Sequence, residues 1–190
     1  MSLKNTVTRV CVLAAGVTTA AALFAVAPAS AAPQDCAYMG YGSAPDTLGL
    51  QFDTQEQAMF DAINAYRADN GLPALVPSDP LRRPAMWASL DDVTTRGFAP
   101  SDHIDSRAMD IPTRVQFCSG YTGLIYEINF YQTGGSYENS IQPAMDFWKG
   151  DPPHNAILLN SQVTTMAPQL AYNGVDAEIL YAWTVDFGDH

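Results

Sequence analysis

Two stretches near the C-terminus decide the fold: Met166–Tyr172, with the sequence MAPQLAY, and Ile179–Phe187, with the sequence ILYAWTVDF. Each is a run of aliphatic and aromatic residues with few polar interruptions, which is typical of a β-strand. The Asn173-Gly174 pair between them is typical of the tight turn of a hairpin. We therefore expect these two strands to pair as a hairpin.

A third strand is predicted upstream, at Leu124–Tyr131, where aliphatic and aromatic residues again dominate. Gly134-Gly135 follows this run and ends it. Between this strand and the hairpin lies a helical pattern that begins at about Ser140, with a short apolar run at Ala156–Leu159 that predicts a single helical turn. Three residues at helical spacing mark the first of these segments: Ile141, Met145 and Trp148.

Two more helices are predicted before the strands. Thr54 and Gln57 form a capping-box pattern that starts the first, and Gly71 stops it. The second begins at about Asp79-Pro80 and ends at Gly97, and residues 98–120 are predicted to be a loop. The residues that share the buried faces of these helices are Met59, Ile63 and Tyr66 in the first, and Leu81, Ala85, Ala88 and Asp92 in the second. Helices early and strands late predict an α+β fold, with helices packed on an antiparallel sheet.

Length and charge limit the classes of function. A chain of 190 residues is enough for one domain after a processed segment is removed, and its 47% hydrophobic content can build a core. The formal net charge of −11 disfavours nucleic acid and anionic membranes as partners.

The first 31 residues have the pattern of an export signal. Lys4 and Arg9 supply the positive start, an apolar run follows from residue 10 to residue 27, and Ala29-Ser30-Ala31 is a small-x-small cleavage pattern. The alternative is an uncleaved membrane anchor, because the apolar run has the minimum length for a span. The domain prediction is therefore a signal peptide at 1–31, an irregular arm at 32–52 and a folded domain at 53–190, secreted and without a transmembrane anchor.

Cleavage at that point leaves two cysteines, Cys36 and Cys118. In an oxidising compartment an even pair most simply forms one disulfide. Two free thiols or a metal site are the alternatives, although neither cysteine lies in a CxxC motif or next to a histidine.

Few side chains can carry chemistry. His103 and His154 both lie in predicted loops, and an isolated loop histidine is often only a surface residue. Glu127 interrupts an apolar strand, so it either faces solvent or is buried and paired. The sequence has no G-x-S-x-G elbow, P-loop, dinucleotide fingerprint or HExxH motif, although a Ser-His-Asp triad stays open.

The order of several short motifs resembles the CAP superfamily, the SCP-like extracellular domain, and in particular its bacterial branch. Each motif is weak alone, but they occur in the family's order over most of the chain. They are Asn64, Arg67, Gly71-Leu72 and Leu75; Gly97-Phe98 before His103; Arg114 eleven residues later; Gly120-Tyr121; Glu127; Trp148 six residues before His154; Ile157-Leu158; Tyr181-Ala182-Trp183; and Phe187-Gly188.

The chain also departs from the family pattern. Tyr126 and Ile128 flank Glu127 where the family has Gly and Asn, and Asp151 occupies the position of a second acid. Ala167-Pro168-Gln169 replaces a usual Gly-x-Gly, and the second helix ends in Asp91-Asp92-Val93 rather than in an acidic-Met pair.

The resemblance implies an α-β-α sandwich with a central cleft that gathers two histidines and one or two acids. In that arrangement His103 and His154 are the candidate ligands of Zn²⁺ or another divalent metal, and Asp151 is an accessory acid. Glu127 is the candidate general base, and it could also orient a metal-bound water or hold the tautomer of an imidazole.

Three functions follow from the resemblance. The first is a secreted protein that binds a small hydrophobic ligand such as a lipid or sterol, or an extracellular protein or envelope component. The second is a metal-dependent hydrolase or protease that uses the same cleft. The third is a structural role in the cell envelope. Fold analogy does not choose among them.

Overall fold

The computed structural model describes Cys36, residues 52–173 and residues 179–190. Along these residues, groups of helices are followed by strands. The predicted signal peptide, most of the predicted arm and the predicted turn at Gly174 lie outside the described residues. The helices are α1 (Thr54–Asp69), α2 (Asp79–Asp91), α3 (Ile111–Ser119), α4 (Ile141–Gly150) and α5 (Pro152–Leu158), and the strands are β1 (Val76–Pro77), β2 (Ile125–Thr133), β3 (Thr165–Asn173) and β4 (Leu180–Gly188).

The strands form one sheet in the order β1-β3-β4-β2. β3 and β4 pair antiparallel with Met166 opposite Phe187, which confirms that the two predicted C-terminal strands are partners. β2 pairs antiparallel with the other edge of β4, and Glu127 lies opposite Asp186. The two-residue strand β1, which was not predicted, adds to β3 in parallel and makes the sheet mixed.

Alternate residues of each strand face two different helical layers. One face, which we call the apolar face, carries the larger core cluster and packs against α1, α4 and α5. The opposite face, which we call the polar face, packs against α2 and α3 around small residues such as Ala167 and Ala182. The apolar-face cluster includes Met59, Ile63, Ile128, Met145, Trp148, Leu158, Met166, Trp183, Val185 and Phe187, and the polar-face clusters include Leu81, Leu90, Val115, Ala167, Ala171 and Ala182. The layers form the expected α-β-α sandwich.

The N-cap of helix α1 lies one residue before the predicted cap. Asp53, not Thr54, is the N-cap: its carboxylate accepts from the Glu56 backbone N–H at 2.8 Å, and Glu56 accepts in return from the Asp53 N–H at 3.0 Å. The predicted Thr54/Gln57 capping box is therefore wrong. An aspartate at the N-cap accepts from the free N–H groups of the first turn, and its negative charge interacts favourably with the positive end of the helix dipole. Gly71 follows the helix with φ of 74°, as predicted for a C-terminal stop.

Helix α2 continues into one π-helical segment, Asp92–Arg96, and Gly97 ends it with φ of 73°. π-Helical segments widen the helix and are frequent at functional sites. The predicted buried face is correct, because Leu81, Ala85 and Ala88 are all buried. Asp92 shares that face and is buried as well.

Helix α3 lies inside residues 98–120, which were predicted to be a loop, so that prediction is wrong for Ile111–Ser119. Asp110 caps the helix by accepting from the Thr113 N–H at 3.0 Å, and Pro112 occupies the first turn, where its missing N–H costs nothing. Gly120 ends the helix with φ of 74°. The disulfide between Cys36 and Cys118, which confirms the predicted pairing, attaches to this helix.

Candidate functional site

His103 lies in the loop between α2 and α3, above the polar face of the sheet. Its Nδ1 is 2.9 Å from Oε1 of Glu127 on β2, and its side chain is 18% exposed. The backbone of His103 is left-handed, with φ of 57°, a conformation that is uncommon for residues other than glycine and is often associated with functional sites. The fold thus holds this imidazole in a defined position beside a buried carboxylate.

Arg114 on α3 fixes both members of this pair. Its Nη2 donates to Oε2 of Glu127, and its Nη1 donates to the carbonyl oxygen of His103 at 3.1 Å. The guanidinium is buried, so the ion pair with Glu127 is shielded from water. We refer to His103, Arg114 and Glu127 together as the triad.

The ionisation of Glu127 follows from these contacts. Burial raises the pKa of this carboxyl, but the Arg114 guanidinium and the hydrogen bond to His103 outweigh burial, so its pKa is lowered. An ionised carboxylate only accepts hydrogen bonds, so Nδ1 of His103 carries the proton. In the neutral imidazole Nε2 is then left as the free base.

Asp186 lies directly behind Glu127, on the neighbouring strand β4, and is fully buried. Burial and the adjacent Glu127 carboxylate raise the pKa of Asp186 well above its ordinary value, and Arg114 only partly offsets this rise. Asp186 therefore holds its proton more tightly than an exposed aspartate does, and neither of its carboxyl oxygens makes a hydrogen bond among the described residues.

A small recess opens beside the triad between the end of α2 and strand β2. Its enclosed volume is about 10 Å³, roughly the room of one water molecule, and the open space at its mouth brings the total to about 200 Å³. Seven of its nine lining residues are polar or charged. The nine are Ala88, Asp91, Asp92, Pro100, His103, Asp105, Arg114, Glu127 and Asn129.

His154 lies in a different layer. Its Nδ1 is 2.5 Å from Oδ2 of Asp151, the residue that precedes α5, and its ring is 5.3 Å from that of Phe147. The Phe147 ring in turn contacts Phe130, which alternates along β2 with Glu127 and points to the apolar face. His103 and His154 therefore pair with different carboxylates: His103 with Glu127 on the polar face of β2, and His154 with the residue before α5, a helix of the apolar-face layer.

The expected zinc ligands are held in two separate pairs. Nδ1 of each histidine is bonded to a carboxylate, which leaves Nε2 as the ring nitrogen that could bind a metal, and both oxygens of Glu127 are used by His103 and Arg114. Within residues 52–173 and 179–190, no three His, Cys, Asp or Glu side chains come together in a way that could hold a metal ion. The structure gives His103 and Glu127 as one pair and His154 and Asp151 as another.

Sequence reasoning did not identify several acidic residues that line the recess or lie behind it. Asp92 was placed on the buried face of α2, and an acid on an apolar stripe is a signal of a special environment. Asp186 interrupts the apolar run of β4 in the way that Glu127 interrupts β2, so the same reasoning applies to it. No comparable local signal pointed to Asp105, because its neighbours resemble an ordinary polar loop.

A three-layer α-β-α sandwich with a buried histidine–glutamate pair beside a polar recess defines the structural class of this chain. Residues 60–187 match the model of CAP, the cysteine-rich secretory protein family. The chain belongs to this family.

Solved structures show the same fold at low sequence identity. An outer surface protein of Borrelia burgdorferi has 16% identity and a TM-score of 0.56, over 74% of this chain and 96% of that one. An extracellular protein with an SCP domain from Bacillus anthracis has 20% identity and a TM-score of 0.57, over 80% of this chain and 45% of that one.

A cysteine-rich secretory protein from Staphylococcus aureus has 14% identity and a TM-score of 0.50, over 80% of this chain and 42% of that one. The chain thus spans less than half the length of the Bacillus and Staphylococcus proteins. No curated protein matches the sequence.

Proposed function

We propose that this CAP-domain chain is exported and binds a polypeptide partner at the recess beside the triad, without turning it over. Export is supported by the signal pattern in the first 31 residues and by the Cys36–Cys118 disulfide, which is typical of oxidising compartments. The names of the Borrelia and Bacillus proteins also describe an outer surface and an extracellular protein. Among the described residues, no helix has the length and apolar character that a membrane span needs.

The observation that carries the binding proposal is the state of Glu127. Both of its oxygens are bonded, one to His103 and one to Arg114, and its pKa is lowered. A general base must be free to take a proton and needs a pKa near the working pH. Glu127 has neither property and instead positions His103.

The recess favours a polar group over a sterol or lipid. Pockets that enclose a drug-sized ligand span roughly 300–1,000 Å³ and are mostly apolar. The enclosed volume of the recess, about 10 Å³, is far below that range, and seven of its nine lining residues are polar or charged. The recess is suited to the end of one polar side chain of a larger partner.

The alternative function, a hydrolase, has one feature in its favour, and this feature does not involve a metal. The triad leaves Nε2 of His103 as a free base of fixed orientation, which is the way catalytic histidines are presented. In this alternative the base is His103, with Glu127 as the residue that orients it, rather than Glu127 itself.

The two functions can be separated with a library of displayed peptides and the purified, disulfide-bonded protein. We expect selected peptides to remain intact and to lose about tenfold or more in affinity with His103→Ala. The matched control is His190→Ala, which removes an exposed terminal imidazole and should bind as the wild type does. Cleavage of the peptides that is lost in His103→Ala would contradict the binding proposal and favour the hydrolase.

The predicted metal site is tested by calorimetry with Zn²⁺ at about pH 7.5, where unperturbed histidines are mostly neutral. From the separate placement of the two histidines we expect no saturable heat. Saturable heat that disappears in both His103→Ala and His154→Ala would show that the two imidazoles share an ion, and the geometry described above would then have to change on metal binding.

A further inference from the structure

Four carboxyl groups line the recess, and three of them already have strong partners. Glu127 is bonded within the triad. Asp91 accepts from the backbone N–H of Ser106 at 2.8 Å, from its hydroxyl at 2.5 Å and from Nε of Arg96 at 3.3 Å. These contacts fix the loop after α2 and leave Asp91 little capacity for a ligand.

Asp105 is equally engaged. Its Oδ2 accepts from Nε1 of Trp87 at 2.8 Å, and its Oδ1 accepts from the backbone N–H groups of Arg107 and Met109 at 2.9 Å each. Because these donors come from α2 and from the loop itself, Asp105 is a structural residue of the loop.

Asp92 is the exception. It lines the recess, it is only 4% exposed, and within residues 52–173 and 179–190 no donor makes a hydrogen bond to its carboxyl group. Burial raises its pKa to about 8, the carboxylates of Glu127 and Asp91 add to the rise, and Arg114 and Arg96 only partly offset it. A buried carboxyl without a partner costs free energy, and a cation placed beside it removes that cost.

The recess does not supply this cation from its own walls. Its lining contains one guanidinium, Arg114, whose two terminal nitrogens are bonded to Glu127 and to the His103 carbonyl and whose Nε makes no hydrogen bond among the described residues. The site therefore has an acceptor in Asp92 and an opening to solvent, with the local cation already committed elsewhere.

The surroundings of the recess fit a polypeptide better than a free amine. Phe98 and Ile104 lie on the loop that contributes Pro100 and His103 to the walls, and they are 45% and 36% exposed. Exposed apolar side chains on a loop that borders a charged recess offer contact area to the residues beside a basic side chain. A small amine would leave them uncovered.

We propose that the recess binds the ammonium group of a lysine side chain from a polypeptide partner, with Asp92 as its acceptor and with Phe98 and Ile104 in contact with the neighbouring partner residues. This inference rests on the proposed binding function, and it adds the chemical class that the recess selects. Entry of the cation leaves Asp92 ionised, and its proton passes to solvent.

The test uses the isotope-labelled, disulfide-bonded protein and four blocked tripeptides, which carry Lys, Arg, norleucine or Glu between two Leu residues. At about pH 8, close to the raised pKa of Asp92, we expect the Lys peptide to shift the backbone amide signals of Asp92 and Asn129, and the Arg peptide, whose guanidinium is larger than the recess, to shift them less. The norleucine peptide has the same shape without the charge, so it should bind at least about tenfold more weakly, as should the Glu peptide. This comparison uses the wild-type protein and does not depend on the folding of any variant.

The variant arm replaces Asp92 with Asn, which keeps the shape of the side chain and removes its charge. We expect Asp92→Asn to lose about tenfold in affinity for the Lys peptide, whereas Asp69→Asn, an exposed residue at the end of α1, should have no effect. The inference is overturned if norleucine binds as well as lysine, if the shifts lie away from the recess, or if no shift occurs at millimolar peptide.

Two further outcomes separate this inference from the proposed function. If methylammonium binds as tightly as the Lys peptide, the recess takes small amines and the polypeptide part is wrong. If selected peptides depend on His103 but not on Asp92, the binding function survives and the cation inference fails.

Discussion

Arg114 is the residue on which the geometry of the site depends, because it holds Glu127 and the His103 carbonyl from a fully buried position. Removing one partner of a buried ion pair leaves the other charge uncompensated. We expect Arg114→Met to lower the free energy of unfolding by about 3–5 kcal/mol, measured by urea denaturation. Arg83→Met is the control, since this partly exposed arginine of α2 lies outside the triad.

A second substitution tests whether the loss comes from the charge left on Glu127. In Arg114→Met/Glu127→Gln neither member is charged, so we expect most of the stability to return. If the double variant is as unstable as Arg114→Met, lost packing of the arginine side chain, and not the stranded carboxylate, accounts for the effect.

Glu56 gives a prediction of pH dependence. Burial raises its pKa to about 7 from an ordinary value of 4.5, although its hydrogen bond from the Asp53 backbone and the nearby Arg82 oppose the rise. The folded state therefore holds this proton more tightly than the unfolded state. Stability from the protonated form is complete below pH 4.5 and is lost as the pH rises through 7.

The expected size of this loss is about 3 kcal/mol, from 1.36 kcal/mol for each pKa unit. Urea denaturation at a series of pH values should show the fall in the wild type and a flatter curve in Glu56→Gln over the same range. Parallel curves for the two proteins would mean that the folded and unfolded states bind this proton equally well.

At the scale of the element, the capping box of α1 distinguishes the observed helix start from the predicted one. Asp53 accepts the Glu56 N–H, whereas the Thr54 side chain has no capping role. We expect Asp53→Ala to reduce the free energy of unfolding by about 1 kcal/mol and Thr54→Ala by less than about 0.5 kcal/mol. Thermal and urea unfolding of the two variants would measure the difference. Equal losses of stability would contradict the assignment of Asp53, rather than Thr54, as the N-cap.

The elements that the sequence revealed are those with a long apolar period. β2, β3 and β4 and the helices α1, α2 and α4 each present a continuous buried face, and hydrophobic burial is the main determinant of such elements. α3 was missed because its signals are short: Asp110 and Pro112 are typical of loops as well as of helix starts. Only tertiary packing of Val115 and Cys118 decides between the two.

The residues of the site were predictable only where a local sequence signal marked them. Glu127 stood out as an acid in an apolar strand, and the structure pairs it with His103. Spacing along the chain contained no information on which face of the sheet each histidine would occupy, so the separation of His154 from the triad required the three-dimensional structure. Asp92 acquires its properties from Glu127 and Asp91, which only the fold brings close to it.

At the scale of the whole molecule, the disulfide ties Cys36 to α3, the helix that carries Arg114. Arg114 and Cys118 are one helical turn apart, so they lie on the same side of α3 and both are buried. The bond closes a loop that spans 82 residues and includes α1, α2 and His103. A constraint of this length reduces the entropy of the unfolded chain far more than that of the folded chain.

The chain-entropy model gives about 4 kcal/mol for this loop. We therefore expect Cys36→Ser/Cys118→Ser to lower the free energy of unfolding, measured by urea denaturation, by that amount. Wild-type protein reduced with a thiol reagent should show the same loss, because both samples lack the same constraint. If the disulfide acts on the unfolded state, the NMR signals of His103 and Arg114 should keep their native positions in the double variant. A shift of these signals, together with a loss well above 4 kcal/mol, would instead show that the bond holds α3 and the triad in place within the folded protein.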